Sequence, residues 1–270
     1  RLLQDYNDTA SPYPHELCLH QLFEQQAKLT PDAVAMVWEG VSYSYRSLNE
    51  RANQLARHLR SLGVEMESRV ALCLDRSLEM GTALLGVLKA GAAYVPMDPS
   101  APHERLSVRI QDSGARLLLT QKRFAAHFLD VTIPVISLDE IWPVLVSLPD
   151  GNSPSATVPQ NVAYVLYTSG TTGQPKGIEI SHRALVNHST AMAKHYGLRP
   201  TDRVLQFASI SFDVAAEEYF PTWSAGASVV LRPNEPVPEF SEFRRFIDDH
   251  GLSVLNLPTP YWTEWIEACE

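Results

Sequence analysis

Apolar residues along the chain keep changing period, and each change marks an element. In LCLHQLFEQQAKL (17–29), Leu19, Leu22, Phe23 and Ala27 fall on one side of a helical wheel and predict a helix. AVAMVWEGVSYSY (33–45) reads as two short strands that turn at Glu39-Gly40. Ser44 stands where a hydroxyl caps a helix, Leu48, Ala52, Leu55, Leu59 and Leu62 form its apolar stripe, and Gly63 ends it. RVALCL (69–74) has the unbroken apolar run of a buried strand, followed by a helix from Ser77 through Ala90 that Gly91 closes. AAYVPM, a helix between Pro102 and Gly114, ARLLLT, a short helical stretch and IPVISL continue the alternation. This βαβα order predicts a mainly parallel sheet with helices packed on it.

The stretch SLPDGNSPSATVPQ (147–160) interrupts the pattern with Pro, Ser and Gly and reads as a boundary. Beyond it NVAYVLYT is a strand, GIEI a shorter one, and Ser181 caps a helix running to about His195. RVLQFAS, ASVVL and LSVLNL read as further strands with helices between them. The expected organisation is a linker at 1–15, a first α/β part at 16–150 and a second at 151–270, two related layers in sequence order.

Composition narrows the function classes. A 45% hydrophobic content over 270 residues supplies a sizeable core. The net charge of −9 argues against grip on a nucleic-acid backbone, and nothing approaches an uninterrupted membrane span. Cys18, Cys73 and Cys269 are odd in number and far apart, so neither a disulfide framework nor a zinc site is expected, and a reducing cytosol fits.

The densest chemistry is YTSGTTGQPKG (167–177), with three glycines, four small hydroxyl residues and one lysine in its last ten positions. Glycines let backbone N–H groups turn inward on an anion, hydroxyls add donors, and Lys176 adds a mobile cation. The spacing is not that of a Walker A loop, because Lys176 follows Pro175 and precedes Gly177. From composition alone a flexible turn with an incidental lysine remains the competing reading.

This stretch, with Ser181-His182 after it, resembles the phosphate-loop signature of the adenylate-forming superfamily. VSYSYRSLNERANQLARHLRSLGV resembles that family's first core motif. LGVLKAGAAYVPMDPSAPHERL is similar to the second as it occurs in adenylation domains of nonribosomal peptide synthetases, and SISFDVAAEEYFPTWSAGASVVL to the fourth. The opening LLQDYNDTASPYP resembles the join to an upstream condensation domain, with an N-terminal extension of a free-standing enzyme as the alternative.

The resemblance implies an α/β fold of the adenylate-forming type, the large N-terminal subdomain with mainly parallel sheets flanked by helices. It implies activation of an α-amino acid by ATP with Mg²⁺, then transfer to the phosphopantetheine thiol of a carrier protein. Thr168, Ser169, Gly170, Thr171, Thr172 and Gly173 would clasp the phosphates, with Lys176 as the catalytic cation at their end. Phe212, Asp213, Val214 and Glu217 would begin the substrate pocket, with Asp213 on the α-ammonium; its plain alternative is a helix N-cap. A further pocket position is expected in NLPTPYWTEW, at Pro260 or Trp262. Glu217 would face a cationic side chain, such as arginine, lysine or ornithine, and Glu218 would be structural. The family's later motifs and its C-terminal subdomain are not in these 270 residues, so the fragment is expected to be inactive by itself. An acyl- or aryl-CoA ligase and a non-catalytic module are the alternative readings.

Overall fold

The computed structural model describes residues 8–169, 175–234 and 239–269, the last two and Ser169 by backbone only. Its elements in chain order are α1 (Leu19–Leu29), β1 (Val34–Trp38), β2 (Val41–Ser44), α2 (Tyr45–Ser61), β3 (Arg69–Cys73), α3 (Leu78–Ala90) and β4 (Ala93–Met97). There follow α4 (His103–Ser113), β5 (Leu117–Thr120), α5 (Lys122–Ala125), β6 (Val135–Ser137) and α6 (Leu138–Leu145). After the Pro/Ser/Gly stretch come β7 (Val162–Ser169), β8 (Pro175–Ser181), α7 (His182–His195), β9 (Arg203–Gln206), α8 (Asp213–Ser224), β10 (Ser228–Leu231), α9 (Phe240–His250) and α10 (Thr259–Cys269).

The strands form two sheets, a four-stranded one ordered β2-β1-β10-β9 and a six-stranded one ordered β6-β5-β3-β4-β7-β8. All pairings are parallel except the hairpins β1–β2 and β7–β8. The fold is therefore α/β with mixed, mostly parallel sheets flanked by helices, as expected. The two-layers-in-sequence expectation needs correction, because each sheet takes strands from both sides of residues 147–160. Periodicity reports which residues are buried but not which strand lies beside which, so pairing between distant strands was invisible to it.

Local chemistry explains most boundaries. Ser44 Oγ accepts from Ser47 N at 3.1 Å and starts α2. Glu39 and Gly40 both hold positive φ, +47° and +78°, the hairpin geometry that matches strand twist. Leu62 is the C-cap of α2 and is exposed, rather than closing the apolar stripe. LSVLNL is not a strand; only Val254 bridges to Val204 before the chain turns toward α10.

The central strands are buried on both faces, and successive side chains join different cores, three in all among the described residues. Val70 and Leu72 of β3 join α1, α2, α3 and α8 between the sheets, whereas Ala71 and Cys73 face Leu106 and Ile110 of α4 on the outer side. Leu205 and Phe207 pack on Phe243 of α9, with Tyr261 and Trp265 of α10 against them. The middle layer is tight. A Cβ on Gly86 of α3 would lie 2.7 Å from Leu55 Cδ2 of α2, so the helices approach only because that residue is glycine.

The polar side of α2 is not left to solvent. Asn53 Nδ2 donates to Asp150 O at 2.6 Å, Gln54 Nε2 to Leu148 O at 3.2 Å, and Arg57 to Pro149 O and Gly151 O at 2.8 Å each. These bonds satisfy backbone carbonyls that no strand or helix pairs, which fixes the course of the stretch leading to β7. Strand β4 is bonded along its length to β3 but to β7 only at Tyr94–Tyr164. Pro96, with no N–H to give, sits in the half that β7 leaves.

Candidate functional site

Strand β7 delivers the loop and β8 takes the chain back. The antiparallel register sets Thr168 opposite Lys176 and Tyr167 opposite Gly177. The Lys176 side chain is exposed and makes no hydrogen bond or ion pair to another described residue. Gly170, Thr171, Thr172 and Gly173 lie outside the described residues, and of Ser169 only the strand position is described. A Cβ on Gly177 would lie 3.1 Å from Val165 Cγ1 and 3.3 Å from Tyr167 Cζ, so glycine there lets the Tyr167 ring lie across the hairpin. The Tyr167 hydroxyl donates to Asp112 Oδ2 of α4; burial and that carboxylate push its pKa up.

Beside the hairpin, a cavity of ≈ 440 Å³ is lined among the described residues by Tyr164, Leu166, Tyr167, Thr168, Ile178, Ile180, Arg109 and the turn Ser211-Phe212-Asp213. A second cavity, ≈ 290 Å³, is lined by Tyr164, Ile180, Ala184, Leu185, His188, Asp213, Val214, Ala216 and Glu217. Asp213, Tyr164 and Ile180 belong to both. The two spaces adjoin there, with hydroxyl groups of the loop strand toward one end and Glu217 toward the other.

Asp213 is the first residue of α8, not its cap. The N-cap is Phe212, exposed and without a side-chain cap, while among the described residues Asp213 Oδ1 accepts only from Val214 N, at 3.0 Å. The plain N-cap reading therefore does not hold. The carboxylate sits at the positive end of the helix and raises the Tyr164 phenol, already shifted by burial, to about 12.

Glu217 stands one turn further along α8. It takes His188 Nε2 of α7 at 2.9 Å, Asn256 Nδ2 at 3.1 Å and the hydroxyl of Tyr196. Among the described residues no Lys or Arg forms an ion pair with it. Glu218 points the other way, buried beneath the sheet. Gln206 Nε2 donates to it at 2.9 Å and Ala208 N at 3.1 and 3.2 Å. Burial raises its pKa to about 8, against the pull of the backbone N–H groups of Ala208 and Phe207, of Gln206 and of Arg76.

The expectation of Pro260 or Trp262 as a pocket residue is also corrected. Both are exposed on α10 and line neither cavity; Asn256, first in the same stretch, reaches Glu217 instead. An asparagine just before the turn into a helix carried no sequence signal of its own. His182 of the Ser181-His182 pair faces away from the cavities. Its Nδ1 accepts from Leu19 N at 3.2 Å and ties α7 to α1. Ser181 does cap α7, accepting from Ala184 N at 3.3 Å. Among the described residues no three His, Cys, Asp or Glu converge on a metal site, and no helix is long and apolar enough to cross a membrane.

A family model described as AMP-binding enzyme matches residues 23–270. A linear gramicidin synthase of Brevibacillus parabrevis is 44% identical over 254 residues, covering 94% of this chain and 3% of that protein. A mycosubtilin synthase of Bacillus subtilis is 43% identical over 272 residues, 99% of this chain and 10% of its own. The chain thus spans a tenth or less of these relatives. Among solved structures, the nonribosomal peptide synthetase FmoA3 in its AMPPNP-bound form superimposes with a TM-score of 0.83 at 30% identity, over 92% of this chain and 26% of that one. The N-terminal subdomain of Klebsiella oxytoca NpsA, in complex with 3-hydroxybenzoyl-AMSN, gives 0.82 at 25%, over 96% and 64%.

Proposed function

The chain belongs to the AMP-binding enzyme family, and from that premise we propose that it forms the amino-acid and phosphate side of an amino-acid adenylating site in a nonribosomal peptide synthetase. The observation that carries this reading is the placement of Asp213 where the two cavities meet, between the strand ends at Thr168 and Lys176 and the pocket at Glu217.

In the proposed reaction a carboxylate oxygen of the amino acid attacks the α-phosphorus of ATP. The bond to the β-phosphate breaks, pyrophosphate leaves, and an aminoacyl adenylate remains. A carrier-protein phosphopantetheine thiol then takes the acyl group and releases AMP. Two anions must meet, so the protein's task is orientation and charge neutralisation. Asp213 would hold the α-ammonium and so aim the carboxylate toward the nucleotide. Thr168, Ser169, Gly170, Thr171, Thr172 and Gly173 would clasp the phosphates, and Lys176 would follow the charge leaving with pyrophosphate. Mg²⁺ would arrive on the nucleotide and neutralise phosphate charge. Carrier and condensation domains are the proposed neighbours, in keeping with relatives that are far longer than this chain.

For the side chain, Phe212, Val214 and Glu217 would line the approach and the pocket. A cationic substrate is favoured because Glu217 has two neutral partners and one histidine, but no Lys or Arg, among the described residues. A guanidinium or ammonium would balance its charge, whereas a neutral competitor would leave it dependent on His188. The second reading, a polar or aromatic side chain, follows if His188, Tyr196 and Asn256 satisfy Glu217 from within.

The test is ATP–pyrophosphate exchange by the full-length protein with the twenty amino acids and ornithine. Wild type and Glu217→Gln are compared side by side. Exchange led by cationic amino acids, with that preference cut about tenfold or more in Glu217→Gln, is expected. Exchange led by neutral amino acids supports the second reading. Activity only with acyl or aryl acids and CoA would move the protein to another substrate class, and no exchange would point to a non-catalytic module.

A further inference from the structure

Arg109 belongs to no motif read from the sequence. On α4 it follows the buried Leu106 and precedes the buried Ile110, a position that reads as a solvated charge. The fold places it elsewhere. Its guanidinium lies 5.7 Å from the centroid of the Tyr167 ring and lines the cavity that also holds Thr168 and Asp213. Among the described residues Nε is sealed from solvent without an acceptor, and no hydrogen bond or ion pair joins the guanidinium to another side chain.

The nearby carboxylates are already engaged. Asp112, one turn along α4, takes the Tyr167 hydroxyl. Asp98 takes Ser100 N at 2.9 Å, Ser100 Oγ at 2.6 Å and Ser209 Oγ at 2.6 Å. Arg105 adds a second positive charge; with burial, which acts more strongly, it lowers the pKa of Arg109 from its usual value. A half-buried guanidinium beside a like charge, with no acceptor among the described residues, is costly unless an anion arrives. Tyr167 is fixed from both sides, by Asp112 and by the missing Cβ of Gly177, so it forms a rigid platform under the cation. Thr168 and its cross-strand partner Lys176 follow directly.

We propose that Arg109 is a phosphate-binding residue of this site, holding the polyphosphate of the nucleotide, and then the pyrophosphate, from the side opposite Asp213. The cavity then carries a cation for the phosphates at one end and an anion for the substrate ammonium at the other. Leu166, Ile178 and Phe212 form its apolar wall. A planar guanidinium suits this task because it grips two phosphate oxygens at once.

This inference rests on the adenylation reading, and the experiment separates the two. In the full-length protein, Arg109→Met keeps the apolar stem and removes the charge, and Arg109→Lys keeps the charge and loses the fork. With Arg109→Met, the KM for ATP and for pyrophosphate in the exchange assay should each rise about tenfold. The KM for the amino acid should stay within about twofold and the melting temperature of the nucleotide-free protein should not fall, because the guanidinium bonds no other described residue. Arg109→Lys should recover part of the loss. Calorimetric titration with inorganic pyrophosphate should show the same weakening, and it reads the site even if no amino acid supports exchange. Unchanged pyrophosphate affinity in Arg109→Met, or a fall in every parameter together with the melting temperature, would overturn the proposal.

Discussion

Helices α7 and α8 pack together, and each carries the same residue type in two opposite settings. His182 and Glu218 face the sealed side, where both are almost fully buried. His188 and Glu217 face the cavity and pair with each other at 2.9 Å. Glu217 and Glu218 are consecutive, so the roughly 100° step of the helix alone decides which becomes a charged pocket wall and which a buried acid. On the sealed side low polarity removes charge: Glu218 is pushed up to about 8 and His182 down to about 4. On the cavity side the groups keep solvent and each other. Stability and recognition are thus written one residue apart, and substitutions on the two sides should fail in different assays.

The largest effect is expected where the cavities meet. Asp213→Asn in the full-length protein should lower kcat/KM for the amino acid by roughly 2–5 kcal/mol, the cost of removing one charged partner from a desolvated pair. Asp213 is exposed in the fold, so the melting temperature should hold. A comparable loss of stability would erase the distinction between the two sides.

Next comes Glu218→Gln, read by urea denaturation across pH. The folded pKa lies above the ordinary 4.5, so the neutral form is the stable one in the native protein. Its contribution is complete below about 4.5 and is lost as pH rises toward and through about 8, on the order of 1.4 kcal/mol per unit. Glu218→Gln should flatten that decline and exceed wild type at pH 8.5, with amino-acid selectivity unchanged. An identical pH profile in both proteins would mean that Glu218 is not held neutral.

The smallest expected effect concerns the histidine pair on the sealed side. His20 and His182 meet edge to face at 5.5 Å, and neither His20 nitrogen has a partner among the described residues. Burial lowers both pKa values, His182 to about 4, so the unfolded chain takes up protons first and stability falls as pH drops from 6.5 toward 4. His20→Phe keeps a ring against His182 and removes two unsatisfied polar atoms. It should raise the urea midpoint by the equivalent of about 1 kcal/mol at pH 7 and by more at pH 5. A lower midpoint at both pH values would show that the imidazole makes a polar contact that matters.

Much of the fold was legible because its signals are local. Ser44 and Ser77 mark helix starts through their own hydroxyls, and Gly91 and Gly114 mark ends through their φ of +91° and +64°. The glycine-rich loop was visible as a composition. LSVLNL misled because an apolar run looks the same whether it pairs along its length or through one residue. Asn256 escaped because a side chain that completes a pocket from a distant loop leaves no periodic trace. Arg109 escaped for the opposite reason, since its place in the pattern looked like an ordinary surface charge.

By itself the sequence determined the α/β class, the helix caps, the hairpin at Glu39-Gly40, the phosphate-loop composition and the family, all of which depend on neighbouring residues or on short motifs in order. Only the tertiary structure decided that both sheets draw strands from either side of 147–160, and that Glu217 is held by His188, Tyr196 and Asn256. It alone brought Arg109, Thr168 and Asp213 around one cavity. These facts depend on distances between residues far apart in the chain. Such distances are set by the summed packing of many apolar contacts, and no single stretch of sequence encodes that sum.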